Sequence, residues 1–186
     1  LLALGVGPAA RSDVRHVTVE FVHPVIVGKR ALPALSLVSD AATLMGVARR
    51  SGIDEVFAHQ IGVLGAADDT ALGISSDGRC RNVLRGLEAA HEAGLLTVAL
   101  LGGDGGPIAE SSAVDHSIVV PSDDPYVVKE VHVTAYHILW ELAHVFFEQP
   151  GLLEDDAAES PAAGDGLEGL YPFLYDGGAD IAAVVD

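Results

Sequence analysis

Between Asp69 and Gly106 two short apolar runs flank one amphipathic stretch, and that alternation restricts the fold more than any other feature of the chain. The first run, Ala71-Leu72-Gly73-Ile74, breaks into Ser75-Ser76-Asp77-Gly78-Arg79-Cys80. Val83, Leu84, Leu87, Ala90 and His91 then recur at helical spacing until Gly94 stops them. The second run, Leu95 to Leu101, ends in Gly102-Gly103-Asp104-Gly105-Gly106. Strand, polar turn, helix and strand in that order make a βαβ unit. In a parallel sheet, ligands bind outside the carboxyl ends of the strands, so the turns after Ile74 and Leu101 are where chemistry is expected.

The remaining chain extends the pattern on both sides. Leu1 to Gly7 reads as a first strand and its turn, and Ser12-Asp13 offers the N-cap of a helix that carries His16, Glu20 and His23 on one stripe. His23-Pro24 ends that helix, because the residue before proline avoids the α region. Leu32 to Val38 is the next strand, with Ser39-Asp40 at its carboxyl end. Ala42 to Ala48 and Val56 to Leu64 have helical spacing, interrupted by Arg49-Arg50-Ser51-Gly52. Beyond Gly106 follow a short helix at Pro107, a strand from Val114 to Val120, and the longest helical pattern, Val127 to Glu148. There Val128, Val131, Ala135, Ile138, Leu139, Leu142 and Val145 form a broad apolar face, which predicts a largely buried helix.

Charge divides the chain. Of its 27 acids against 10 bases, nine acids and no base fall in residues 151–186. Residues 151–169 read as an acidic linker, too poor in apolar surface to order itself, and 170–186 as an apolar C-terminal segment. A net charge of −17 argues against nucleic acid or an anionic membrane surface as partner. No run of about 18 apolar residues is present to span a bilayer. The single cysteine, Cys80, excludes an internal disulfide and fits a cytoplasmic setting. Leu1 opens inside an apolar run with no methionine before it, so the natural start is expected upstream.

Gly73-Ile-Ser-Ser-Asp-Gly-Arg-Cys-Arg-Asn-Val resembles the G-I-S-x-S-G-x-S-x-N loop of sugar isomerase (SIS) domains. Val98-Ala-Leu-Leu-Gly-Gly-Asp-Gly-Gly and Val114-Asp-His-Ser-Ile-Val-Val-Pro also fit, and within the family the resemblance is to phosphoheptose isomerases. It covers residues 1–150 and implies a three-layer, doubly wound α/β sandwich around a five-stranded parallel sheet. It also implies aldose–ketose isomerisation of a sugar phosphate, and a homodimer or homotetramer, since such enzymes build each site from two subunits. Asp13, His16 and Glu20 match the family's D-x-x-H-x-x-x-E helix.

Isomerisation moves a proton between adjacent carbons through an enediol, which needs a base over the carbons and an acid near the oxygens. The resemblance assigns these roles to Glu20 and His137. It assigns sugar-phosphate contacts to Ser75, Ser76 and Arg79, and to Asp40 at its strand end. Some members bind zinc, for which His16, Glu20 and His137 stand at matching positions, with Lys129 where a glutamine ligand would be. Taken alone, His16 and Glu20 form an ordinary i, i+4 pair, and His132 and His144 are expected to be solvated or at a subunit contact.

Four departures keep an alternative open. Gly7-Pro8-Ala9-Ala10-Arg11 replaces a glycine-rich serine loop, and Lys129, Asp77 and Cys80 replace family residues. A carboxylate about 4 Å from a phosphate charge costs on the order of 4 kcal/mol at an effective dielectric near 20, unless Arg79 or Arg81 compensates. The alternative is a catalytically degraded SIS domain that acts as a structural or regulatory, protein-binding subunit.

Overall fold

The structure, a computed structural model, describes residues 1–26, 28–149 and 152. Its elements are β1 (Leu2–Gly5), α1 (Pro8–Val22), β2 (Leu35–Ser36), α2 (Ala41–Ser51), α3 (Val56–Leu64), β3 (Thr70–Ser75), α4 (Arg81–Glu92), β4 (Leu96–Gly102), α5 (Gly106–Ala109), β5 (His116–Val120) and α6 (Pro125–Glu148). The expected linker 151–169 and segment 170–186 lie outside the described residues, apart from Leu152. The chain divides into two compact units, Leu1–Trp140 and Glu141–Asp186.

All five strands are parallel, in the order β2-β1-β3-β4-β5. The chain therefore leaves β1 toward β2 on one side and resumes at β3 on the other, so the β1/β3 crevice is the topological switch point. Side-chain alternation assigns the layers. In β1, Leu4 meets α4, where a Cβ on Gly86 would lie 2.5 Å from Leu4 Cδ1, while a Cβ on the adjacent Gly5 would lie 3.0 Å from Val14 Cγ2 of α1. Helices α1 and α4 thus cover opposite faces. Helix α6 joins α1, since a Cβ on Gly102 would meet Val128 Cγ1 at 2.8 Å. The core between these layers is aliphatic, and Leu4, Ile61, Ile74, Leu87, Leu100 and Leu101 are completely buried. Each such side chain contributes roughly 1.5–3 kcal/mol.

Several boundaries differ from the sequence expectation. Helix α1 starts at Pro8 behind Gly7 (φ 95°), not at a Ser12-Asp13 cap, because proline at the first turn already has helical φ and lacks only an N–H that would be unpaired there. Asp13 is consequently a mid-helix residue. Strand β2 shrinks to two residues at the sheet edge, next to Pro33, which has no N–H for the ladder. Helix α2 runs through Arg49-Arg50-Ser51 and stops only at Gly52 (φ 98°), its arginines lying favourably in the last turn. Helix α6 is less buried than its apolar face predicts. Val128, Tyr136 and Trp140 are covered, whereas Val131, Ile138 and Leu139 are 40, 54 and 36% exposed. The apolar surface wraps further round the helix than α1 and the sheet reach.

Candidate functional site

Helices α1 and α6 lie side by side and parallel, joined by contacts that climb both chains together. Near the start of α1, the Lys129 ammonium pairs with the Asp13 carboxylate. One turn on, the Tyr136 hydroxyl meets His16 Nδ1 at 2.8 Å. Further along, Trp140 Nε1–H donates to the Glu20 carbonyl at 2.8 Å. The aromatic pair Tyr136 and Trp140 therefore fixes the register that brings His137 to Glu20.

The result is a compact imidazole–carboxylate cluster. His16 Nε2 lies 3.1 Å and His137 Nε2 3.9 Å from Glu20 Oε1. The Glu20 side chain is 12% exposed, while both imidazoles are open to solvent on one side. His137 Nδ1–H donates to the Val133 carbonyl at 2.7 Å, which turns Nε2 toward Glu20. Burial pushes the Tyr136 hydroxyl up, with the Asp13 and Glu20 carboxylates adding to it, so it stays protonated. A hydroxyl both donates and accepts, so it supports either tautomer of His16.

The same three side chains fit a zinc ion. Their ligand atoms lie within 4.8 Å of one another, and two imidazoles with one carboxylate form a known catalytic donor set with room for water or substrate. Each imidazole is oriented from behind, His137 by a carbonyl and His16 by a hydroxyl, as metal-binding histidines require. Lys129 adds no fourth ligand, because its ammonium is held by Asp13.

At the carboxyl edge, the loop after β3 is organised from within. The Ser75 hydroxyl is fully buried, donates to Asp77 Oδ1 at 3.1 Å and accepts the Gly78 N–H at 3.0 Å. Asp77 Oδ1 also accepts the Arg79 N–H at 2.9 Å. The Arg79 guanidinium makes a two-pronged pair with Asp104, at 3.1 and 2.8 Å. Gly78 (φ 67°) lets this loop pack on the next one, since a Cβ there would fall 1.9 Å from the Gly105 carbonyl oxygen. Ser76 is exposed, and no hydrogen bond engages its hydroxyl among the described residues. Asp40 caps α2, accepting from Ala42 N–H at 3.0 Å, Thr43 N–H at 3.2 Å and the Thr43 hydroxyl at 2.5 Å. The Thr43 hydroxyl first, then these N–H groups, holds its carboxyl below the usual carboxylate range.

Two hollows open at this edge. One, of about 560 Å³, is walled by Asp77, Arg79, Asp104 and Asp123, an acidic set whose arginine is already paired. The other, of about 500 Å³, sits at the switch point between Val6, Gly7, Ala9 and Ala10 on one side and Ser76, Pro125, Tyr126 and Lys129 on the other.

The structure thus brings His16, Glu20 and His137 together, places Ser76 at the switch-point hollow, and keeps Ser75, Arg79 and Asp40 in contacts within the chain. Tyr136 and Trp140, which position the cluster, were not apparent from sequence, where they read only as large residues of an apolar helix. Nor was the Asp13–Lys129 pair, though opposite charges on two helices bound to pack were the available signal. His132 and His144, expected at the surface, are 2 and 1% exposed. Burial holds the His132 imidazole below the usual histidine range, despite a hydrogen bond to the Leu101 backbone.

A doubly wound parallel sheet with this cluster on two parallel helices defines a sugar isomerase-type α/β domain. No protein-family model matches the chain. It is 40% identical to the phosphoheptose isomerase of Geotalea daltonii over 142 residues, 76% of this chain and 72% of that one. To the phosphoheptose isomerase of Helicobacter pylori it is 38% identical over 139 residues, 75 and 71% of the two chains. Among solved structures, a phosphoheptose isomerase from Francisella tularensis aligns with a TM-score of 0.71 at 30% identity, covering 77% of this chain and 75% of that one. One from Neisseria gonorrhoeae aligns at 0.68 and 31%, covering 76 and 73%. The chain belongs to the phosphoheptose isomerase family. Among the described residues no helix is long and apolar enough to cross a membrane.

Proposed function

We propose that the chain is a phosphosugar isomerase, interconverting the ketose sedoheptulose 7-phosphate and its aldose isomer. The observation that carries this reading is the Glu20 carboxylate, shielded from water yet flanked by His16 at 3.1 Å and His137 at 3.9 Å. Glu20 takes the proton from the carbon beside the carbonyl as His137, in its imidazolium form, protonates the carbonyl oxygen. The enediol so formed returns a hydroxyl proton to His137 Nε2, and Glu20 delivers its proton to the neighbouring carbon. Atoms and charge balance over the cycle, and each group contributes roughly 10²- to 10⁴-fold as an acid or base.

His16, Glu20 and His137 would hold a zinc ion, which when bound supplies Lewis-acid polarisation of the carbonyl. The exposed Val131 and Ile138 on α6 support self-association as a dimer or tetramer. The isomerase names of the relatives weigh against a retired, protein-binding domain. Incubation of the purified protein with sedoheptulose 7-phosphate, followed by chromatography of the products, tests the reading. Turnover is expected, falling roughly 10²- to 10⁴-fold in kcat in Glu20→Gln. No turnover with or without added zinc, or full activity in Glu20→Gln, rejects it.

A further inference from the structure

We infer that Trp140 is a positioning residue for Glu20: its indole N–H replaces the backbone donor that Pro24 removes from the end of α1, and so holds the carboxylate opposite His137. The role in turnover rests on the isomerase reading above, whereas the contact itself does not.

Helix α1 ends with one carbonyl short of a local donor. The last carbonyls of a helix need partners from beyond it. The Val19 carbonyl accepts the His23 N–H at 2.7 Å, and the Phe21 carbonyl accepts the Leu32 N–H at 2.7 Å, where the chain returns toward β2. The N–H that would serve the Glu20 carbonyl belongs to the residue four positions on, and that residue is Pro24, which has none. Proline also keeps the residue before it out of the helical region, and His23 stands at φ −128° and ψ 73°. The helix therefore cannot run on past Pro24 to restore the missing bond.

Trp140 supplies it from α6. Its Nε1–H donates to the Glu20 carbonyl at 2.8 Å, and the residue is 4% exposed. An indole nitrogen only donates, and the rest of the ring is apolar, so the side chain suits a bare carbonyl at a buried helix contact. The bond ties α6 to the backbone of the residue whose side chain carries the chemistry. His137 stands three residues before Trp140, on the same side of α6, and its Nε2 lies 3.9 Å from Glu20 Oε1. Slipping α6 by one residue would move each side chain about 1.5 Å along the axis and about 100° round it, taking His137 from the carboxylate. Tyr136 alone cannot hold this register, because its hydroxyl meets the His16 side chain and not a backbone group. Proline and tryptophan act as one device: the first withholds a local bond, and the second provides it from the helix that carries His137.

Trp140 is the single tryptophan, so its indole N–H gives one assignable signal in a proton–nitrogen spectrum of the full chain. Exchange of that proton slowed roughly 100-fold or more relative to the denatured chain is expected. Exchange at the denatured rate overturns the proposal, and this measurement needs no variant. Turnover of sedoheptulose 7-phosphate is then compared in wild type, Trp140→Phe, Pro24→Ala and the double variant, with circular dichroism and thermal melts verifying each fold. Trp140→Phe keeps an aromatic ring but loses the donor, so kcat falls roughly 10- to 100-fold while KM stays within about threefold. In the double variant the N–H restored by Pro24→Ala reaches the Glu20 carbonyl, and most of the lost kcat returns. A double variant no faster than Trp140→Phe, or an equal gain from Pro24→Ala in the wild-type background, overturns the proposal. Zinc affinity, measured by competition with a chromophoric chelator, reads the same geometry without turnover and should follow the same order, with Trp140→Phe roughly 10-fold weaker. If zinc affinity follows that order but the sugar is not turned over, the isomerase reading falls and the positioning role stands. A wild type that neither binds zinc nor turns over the sugar overturns both.

Discussion

The Asp13–Lys129 pair makes an asymmetric prediction about stability. Asp13 is 1% exposed and one of its oxygens, Oδ2, is buried with no hydrogen-bond partner among the described residues, whereas Lys129 is 35% exposed. Removing the lysine by Lys129→Met, which keeps most of the apolar stem, leaves a carboxylate deep in the protein with nothing to neutralise it. Breaking a buried pair in this way destabilises by about 3–5 kcal/mol. Removing the acid by Asp13→Asn leaves an ammonium that can turn to water. That loss belongs to the range of partly exposed pairs, about 1 kcal/mol. The double variant has no stranded charge and should be more stable than Lys129→Met alone. Urea denaturation followed by circular dichroism gives all four free energies, and the cycle isolates the coupling. Equal destabilisation by the two single changes, or a double variant equal to their sum, would refute the argument that burial of Asp13 dominates.

Two further outcomes follow from the packing. Gly86→Ala sets a methyl 2.5 Å from Leu4 Cδ1 and 2.9 Å from Phe57 Cβ, so α4 must shift from the sheet. A loss of about 1–3 kcal/mol is expected, and a melting temperature equal to wild type would show that the layer spacing is not set there. The second concerns pH. Burial lowers the His132 value below 6.5, with Asp13 and Lys129 as its charged neighbours. Above 6.5 neither folded nor unfolded chain protonates it. As pH falls below 6.5 the unfolded chain takes up a proton that the native protein refuses, so stability declines by up to about 1.4 kcal/mol per pH unit until the native value is reached. Urea midpoints at pH 8 and 5.5 should therefore differ less in His132→Gln than in wild type, and an unchanged difference would remove His132 from the acid sensitivity.

What the amino-acid order settled alone is the part governed by neighbours in sequence. The apolar run to Ile74, the helix from Val83 to Ala90 and the run to Leu101 are β3, α4 and β4, because periodicity and glycine stops act within a few residues. The parallel sheet follows from that unit, and the i, i+4 spacing of His16 and Glu20 already implied contact. Polar roles were decided elsewhere. Whether Asp13 caps a helix or neutralises Lys129 depends on a partner 116 residues away, and the alignment of His137 with Glu20 depends on Trp140 reaching back 120 residues. Arg79 looks like a ligand donor in sequence, yet Asp104, 25 residues on, takes two nitrogens of its guanidinium. A side chain's type fixes what it can bind, but only packing fixes which of its neighbours reaches it first, as the pairing of Lys129 with the buried Asp13 shows.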